Sequence, residues 1–222
     1  MKSVAVMLMK GSGDRVHGAD FDFRHRPPLP STILSSIAAA PGCRRGRAPM
    51  SVPSHATSSP QAFDARQFRD ALAQFATGVT VICARAGDGR LVGFTANSFN
   101  SVSLDPPLIL WSLETRSASL PTFETCQRYT VNVLSAAQSD LARRFSRPHA
   151  DRFEGVPYRM GWADAPLIDG CIAWFECHHH GRQRAGDHIV FFGEVATCER
   201  APGRGLVFQH GQFGATAPLP NI

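Results

Sequence analysis

No CxxC pair, no GxSxG elbow and no long apolar run occurs in these 222 residues. The missing CxxC argues against a zinc ribbon and against a thioredoxin-type redox pair. Six cysteines (Cys43, Cys83, Cys126, Cys171, Cys177 and Cys198) are too sparse over this length for a disulfide scaffold. With no GxSxG, and no cysteine at a helix start beside a histidine, nucleophilic hydrolysis has no support. No apolar run approaches the roughly 18 residues of a membrane-spanning helix, so no membrane role is expected. Residues 64–222 contain no lysine, and their 15 Arg balance 15 acids. Nucleic-acid binding requires phosphate neutralisation, so a domain without a basic field is not expected to bind nucleic acid. What is present is 43% hydrophobic and 9% aromatic, enough for one packed domain of ordinary size.

The net charge of +5 lies ahead of that domain, where residues 1–63 carry eight Lys or Arg against three Asp. Residues 1–62 are expected to be a disordered basic extension, or one whose first 49 residues are not translated, with Met50 as the start. Two stretches resemble targeting signals only weakly. Ser3–Met9 is seven residues long with Lys nearby, and Thr32–Cys43 ends in small residues but sits far from the N-terminus. Gly11-Ser-Gly13 lacks the third glycine of a nucleotide loop. A cytoplasmic protein is expected, with a domain over 63–217 and a short tail over 218–222.

Asp64-Ala-Arg-Gln67 reads as a capped helix start, and Phe68, Ala71, Leu72, Phe75 and Ala76 share one helical face up to Gly78. Val79–Ala84 and Leu91–Thr95 form a hairpin around Gly87-Asp-Gly89. Ser101–Leu104 alternates like a half-buried strand, Asp105-Pro-Pro107 breaks it, and Leu108–Trp111 is short and buried. Leu120–Cys126 is a helix with Pro121 in its first turn, and Arg128–Leu134 is a strand. Ser135–Gln138 is a second capping box, followed by Leu141 and Phe145 at helical spacing. Phe153–Leu167 is rich in turns. Cys171–His180 and Ile189–Cys198 are long strands joined through Gly181–Asp187, and Leu206–Gln209 is a last short one. Many strands at short spacing without a βαβ rhythm give a mainly β barrel with a few peripheral helices.

Four places carry candidate chemistry. Gly93–Ser103 packs Thr95, Asn97, Ser98, Asn100, Ser101 and Ser103 between two apolar strands, a supply of donors and acceptors for a flat heterocycle or a phosphate. The same residues suit a polar loop of Asx and Ser turns. Ser117 and Ser119 precede a helix, where they serve as an anion site or simply as a cap. In Gly186-Asp-His188 the imidazole is placed to donate a hydrogen bond to a carbonyl or carboxamide, or to sit in a turn oriented by Asp187. Cys177-His-His-His180 invites a metal reading. Strand alternation, however, turns His178 and His180 one way and Cys177 and His179 the other, leaving a pair in need of a third ligand such as His188.

Five segments in order resemble the flavin reductase-like family, the reductase components of two-component flavin-dependent monooxygenases. They are FATGVTVI (Phe75–Ile82), GFTANSFNSVSLDPPLIL (Gly93–Leu110), YTVNVLSAAQSDLARRF (Tyr129–Phe145), GDHIVFFGEV (Gly186–Val195) and LVFQHGQFG (Leu206–Gly214). The resemblance implies a Greek-key split β-barrel that binds FMN or FAD, forms a homodimer and reduces flavin with NADH or NADPH. It implies a separate monooxygenase that receives the reduced flavin. Carried over by motif, Thr95, Ala96, Asn97, Ser98, Asn100, Ser101, Val102 and Ser103 hold the isoalloxazine and ribityl chain. Ser117 and Ser119 face the flavin phosphate. His188, the implied catalytic residue, and Phe213 lie near the nicotinamide. Two positions depart from the family, which often has an aromatic residue where Gln209 stands and tyrosine where Phe213 stands. A non-catalytic flavin carrier on the same barrel is the alternative. No metal site is expected.

Overall fold

The computed structural model describes residues 63–147 and 151–219, all within one compact unit spanning Ala62–Ile222. The basic extension, Met50 and Cys43 lie outside the described residues. Seven strands form one antiparallel sheet: β2 (Thr80–Arg85), β3 (Leu91–Ala96), β4 (Asn100–Leu104), β5 (Pro107–Glu114), β6 (Arg128–Val133), β9 (Ala173–Ala185) and β10 (His188–Arg200). Their order is β3-β2-β6-β9-β10-β5-β4, so β3 and β4 occupy opposite edges. Yet only Asn97–Phe99 connect them. Four Cα–Cα steps reach at most about 14 Å, whereas six strand spacings in a flat sheet span about 29 Å. The sheet must therefore curl until its edges meet. The result is a barrel closed everywhere except along the β3–β4 seam, the Greek-key split β-barrel expected from the motifs.

Curling gives the sheet an inside and an outside, and β2 shows why its residues read as a continuous apolar run. Ile82 and Ala84 point into the barrel with Phe94, Trp111, Tyr129 and Phe191. Val81 and Cys83 point out, under Phe145 of α3 (Ser139–Ser146) and Phe153. With both faces covered, alternation disappears. The Asn of the YTVNVL segment sits on this outer face. Buried Asn132 accepts from the Ile168 N–H (2.7 Å) and donates to the carbonyls of Val81 (3.1 Å) and Pro166 (3.3 Å). It thereby ties β8 (Pro166–Ile168) to the barrel, helped by Thr130, whose hydroxyl donates to Pro166 at 2.6 Å. That asparagine is structural.

A second sheet joins β1 (Thr77–Gly78), β11 (Leu206–Gln209) and β12 (Gln212–Ala215) in the order β1-β11-β12. The first helix, α1 (Ala65–Leu72), has the expected capping box between Asp64 and Gln67 but ends before the expected Gly78, because residues 77–78 enter β1. Its end is tied to the second sheet. Gln209 donates to the Gln74 carbonyl (2.8 Å), and His210 N–H donates to Ala73 (3.2 Å). None of its residues is buried.

The connection expected over Gly181–Asp187 is a correction. β9 runs through Gly-Arg-Gln-Arg to Ala185, and only Gly186 and Asp187 form the turn. Polar residues there looked like a loop, but pairing with β10 decides the conformation. Strands β7 (Tyr158–Met160), β8 and β12 carried no readable pattern, being three or four residues long.

Candidate functional site

The seam leaves one edge of β3 and one edge of β4 without a strand partner. The hydroxyls expected to serve a ligand there are largely engaged. Thr95 donates to the Ala142 carbonyl of α3 (2.7 Å). Ser98 Oγ accepts from the Ser112 N–H (2.9 Å) and donates to the Ser112 carbonyl (3.2 Å), standing in for the strand that β5 lacks beyond Leu110. Asn100 Oδ1 accepts from the Ser101 N–H (2.9 Å), and Ser103 Oγ accepts from Asp105 N–H (3.2 Å). These side chains shape the edge, and backbone groups of β3 and β4 are what the edge presents. Ala96 is buried as part of the barrel interior, while Asn97, Asn100, Ser101 and Val102 are exposed. The pairing of β4 with β5 skips Val102, a bulge of the kind that re-aims side chains beside sites.

The Gly186-Asp-His188 segment is a two-residue hairpin turn between β9 and β10. Gly186 has φ +63°, the left-handed value such a turn requires at its first position and glycine adopts without strain. His188 is the first residue of β10 and pairs with Glu114, the last of β5. Asp187 Oδ1 lies 2.8 Å from His188 Nδ1, and that hydrogen bond, then the imidazole charge, lowers the Asp187 pKa. Glu114 is lowered chiefly by the hydrogen bond from Arg116 (2.8 Å), which in turn raises Arg116.

Ser117 and Ser119 lie in the loop after β5. Thr115 in that loop bonds the Asp187 carbonyl, through N–H at 2.9 Å and Oγ1 at 3.1 Å, so the loop and the hairpin tip form one unit. Helix α2 (Leu120–Thr125) has six residues. Ser119 makes no side-chain cap and is only 5% exposed, and Ser117 Oγ accepts from the Ser119 N–H at 3.3 Å. Arg116 directly precedes Ser117 in that loop. Sequence reasoning passed over Glu114, Thr115 and Arg116, although a charged run directly after an apolar strand was there to be read.

Phe213 stands apart from this unit. Its ring packs on Phe208 (5.3 Å) beneath the Arg143 guanidinium (5.0 Å), on the α3 side of the barrel. His178 and His180 point outward and Cys177 inward, as strand alternation requires. Among the described residues no group of three His, Cys, Asp or Glu is arranged to hold a metal ion. Cys83 and Cys126 are free, and burial pushes the Cys126 thiol up to about 11.

A family profile described as the flavin reductase like domain matches residues 72–217. The chain belongs to that family. Among similar proteins is a probable flavin reductase of Rhizobium meliloti, 42% identical over 153 residues, covering 69% of this chain and 49% of that protein. A flavin reductase of Pseudomonas putida is 36% identical over 159 residues, covering 71% of this chain and 94% of that protein. This flavin reductase-like chain thus spans about half the length of the first relative and nearly all of the second. Among solved structures, the NADH:FAD oxidoreductase SgcE6 of Streptomyces globisporus, in complex with NAD and FAD fragments, superposes with a TM-score of 0.67 at 38% identity. That match covers 70% of this chain and 94% of the other.

Proposed function

We propose that this chain reduces FMN or FAD with NADH or NADPH and releases reduced flavin to a separate monooxygenase. The observation that carries the reading is the seam. A barrel open along one line offers backbone donors and acceptors at the rim of an apolar interior, which suits a flat, uncharged ring. The flavin supplies the hydride-accepting chemistry, and the protein needs only to bind and orient. That accounts for a site without an acid–base relay.

In this reading the edge from Thr95 to Ser98 and from Asn100 to Ser103 holds the isoalloxazine and ribityl chain. The loop carrying Ser117 and Ser119 takes the phosphate, with Arg116 as its charge. His188 meets the nicotinamide, and Phe213 closes the pocket from the α3 side. The chain pairs with a second copy. The support for pairing is the exposed apolar face that, among the described residues, begins at Phe63 and continues with Phe68 and Leu72 of α1 to Phe75, which is 75% exposed. A cytoplasmic location is inferred from the reaction, which draws on reduced nicotinamide. No helix among the described residues is long and apolar enough to cross a membrane.

The experiment is steady-state oxidation of NADH and NADPH with riboflavin, FMN and FAD. Acceleration over the free reactants with at least one pair is expected. Flavin binding without turnover would mean a carrier instead. The phosphate assignment has its own test. Arg116→Gln is expected to weaken FMN about tenfold, the worth of a charge-assisted hydrogen bond, and to leave riboflavin unchanged. Paired titrations measure this, and equal loss of both ligands would put the phosphate elsewhere.

A further inference from the structure

The hairpin tip that carries His188 is supported on one side only. β6 pairs with β9 as far as His178, and the His179 N–H donates to the Gln127 carbonyl (2.8 Å) as the last backbone bond on that side among the described residues. Beyond it β9 has β10 as its single strand partner, and Arg182, which donates to the Glu124 carbonyl (2.9 Å), is a side-chain tie five residues before Asp187. The tip is therefore held from β5, whose ladder ends at Glu114 opposite His188. The end of a ladder frays unless further contacts secure it.

Thr115 secures this one. Its N–H and its hydroxyl both donate to the Asp187 carbonyl, so the Asp187 peptide has two anchors on one oxygen. That matters because the Asp187 side chain is 85% exposed, and water competes for its carboxylate. A fixed peptide keeps Oδ1 on His188 Nδ1. A carboxylate can only accept, so Nδ1 is the donor in this bond, and in the neutral ring the one proton then sits on Nδ1 and leaves the Nε2 lone pair for a ligand. Glu114 lies opposite His188 in the ladder and interacts with the imidazole. Arg116 occupies the Glu114 carboxylate (2.8 Å), which keeps it from competing with Asp187 for the imidazole.

We infer that Thr115 and Asp187 are positioning residues that set the orientation and tautomer of His188 for the nicotinamide, an inference that rests on the proposed reductase function. Thr115 acts through the Asp187 carbonyl, and Asp187 acts through its carboxylate. Neither touches the reacting atoms.

The test reads the imidazole first and turnover second, on the full chain. Long-range nitrogen–proton NMR of 15N-histidine protein, with His188→Ala identifying the signal, is expected to find neutral His188 protonated on Nδ1. In Asp187→Asn that preference disappears. Thr115→Val keeps the backbone N–H and removes the hydroxyl. It is expected to shift the His188 signal toward mixed tautomers and to raise KM for NADH about fivefold, the worth of one neutral hydrogen bond, with kcat and flavin Kd unchanged. Thr115→Ser restores both readouts, and if the valine chain fails to fold, Asp187→Asn decides. An unchanged His188 signal in these variants, or equal losses for flavin and NADH, overturns the inference. Because the NMR arm needs only the fold, absence of reductase activity would sink the functional reading while leaving the positioning of His188 still measured.

Discussion

Gly193→Ala is expected to unfold at about 3–10 °C below the native chain, a loss of about 1–3 kcal/mol. Gly193 lies on β10 at an irregularity in its pairing with β9. A Cβ at this position would overlap the Tyr129 hydroxyl, reach the ring carbon Cζ at 2.9 Å and the Cys177 Cβ at 3.2 Å. None of these neighbours has room to yield. The Tyr129 ring stands edge-on to Trp111 (5.4 Å), which is itself stacked on Phe191 at 4.3 Å, and all three are fully buried. Close-packed interiors convert such an overlap into backbone displacement rather than a rotamer change. Tyr129→Phe removes the atom that meets the added methyl. In the Gly193→Ala background it should return part of the loss, the ring carbon still standing close. Alone it should be nearly neutral, because neither the Tyr129 hydroxyl nor the Trp111 N–H has a well-aligned hydrogen-bond partner. Urea unfolding of the four chains completes the cycle. Strictly additive losses would mean that the glycine is required for the shape of the strand and not for the tyrosine.

Much of the fold was readable from the residues because local rules and packing agree. The Asp64–Gln67 capping box, the Ser135–Gln138 box and the Gly87–Gly89 turn are local features, and each forms where its pattern stands. What could not be read is set by distant partners. Gly181–Ala185 is polar and contains glycine, yet it is strand because β10 offers a ladder. The apolar face of α1 is exposed, since periodicity states that a face is apolar and not what covers it. At the site, composition announced a cluster of hydroxyls but not their engagement. Thr95 turns to α3, Asn100 to its own neighbour, and Ser119 is buried. The charged loop after β5 gains its meaning only from the hairpin tip, 72 residues away in sequence, that docks on Thr115.

Ser98→Ala is expected to weaken flavin binding by at least tenfold and to cost about 2 kcal/mol of stability, because one hydroxyl there replaces a missing strand. Past Leu110, β5 keeps β10 on one side and loses β4 on the other, since the β4–β5 ladder begins at Asn100 opposite Leu110. The Ser112 N–H and carbonyl on that open side would need water, yet they lie at the barrel seam in a half-buried strand position. Ser98 Oγ meets both, accepting from the N–H and donating to the carbonyl. Alanine leaves the two groups without partners and releases residues 97–99, the only covalent link across the seam. The edges of β3 and β4 then lose their fixed spacing, and with it the arrangement of backbone groups on which the proposed flavin site depends. Thermal unfolding and FMN titration of Ser98→Ala, with Ser98→Thr as the variant that keeps the hydroxyl, measure the two effects. If Ser98→Ala loses stability while FMN affinity holds, the seam is a structural joint and the flavin binds elsewhere. If both fall together and threonine restores both, the hydroxyl that closes the barrel also sets the geometry of its binding edge.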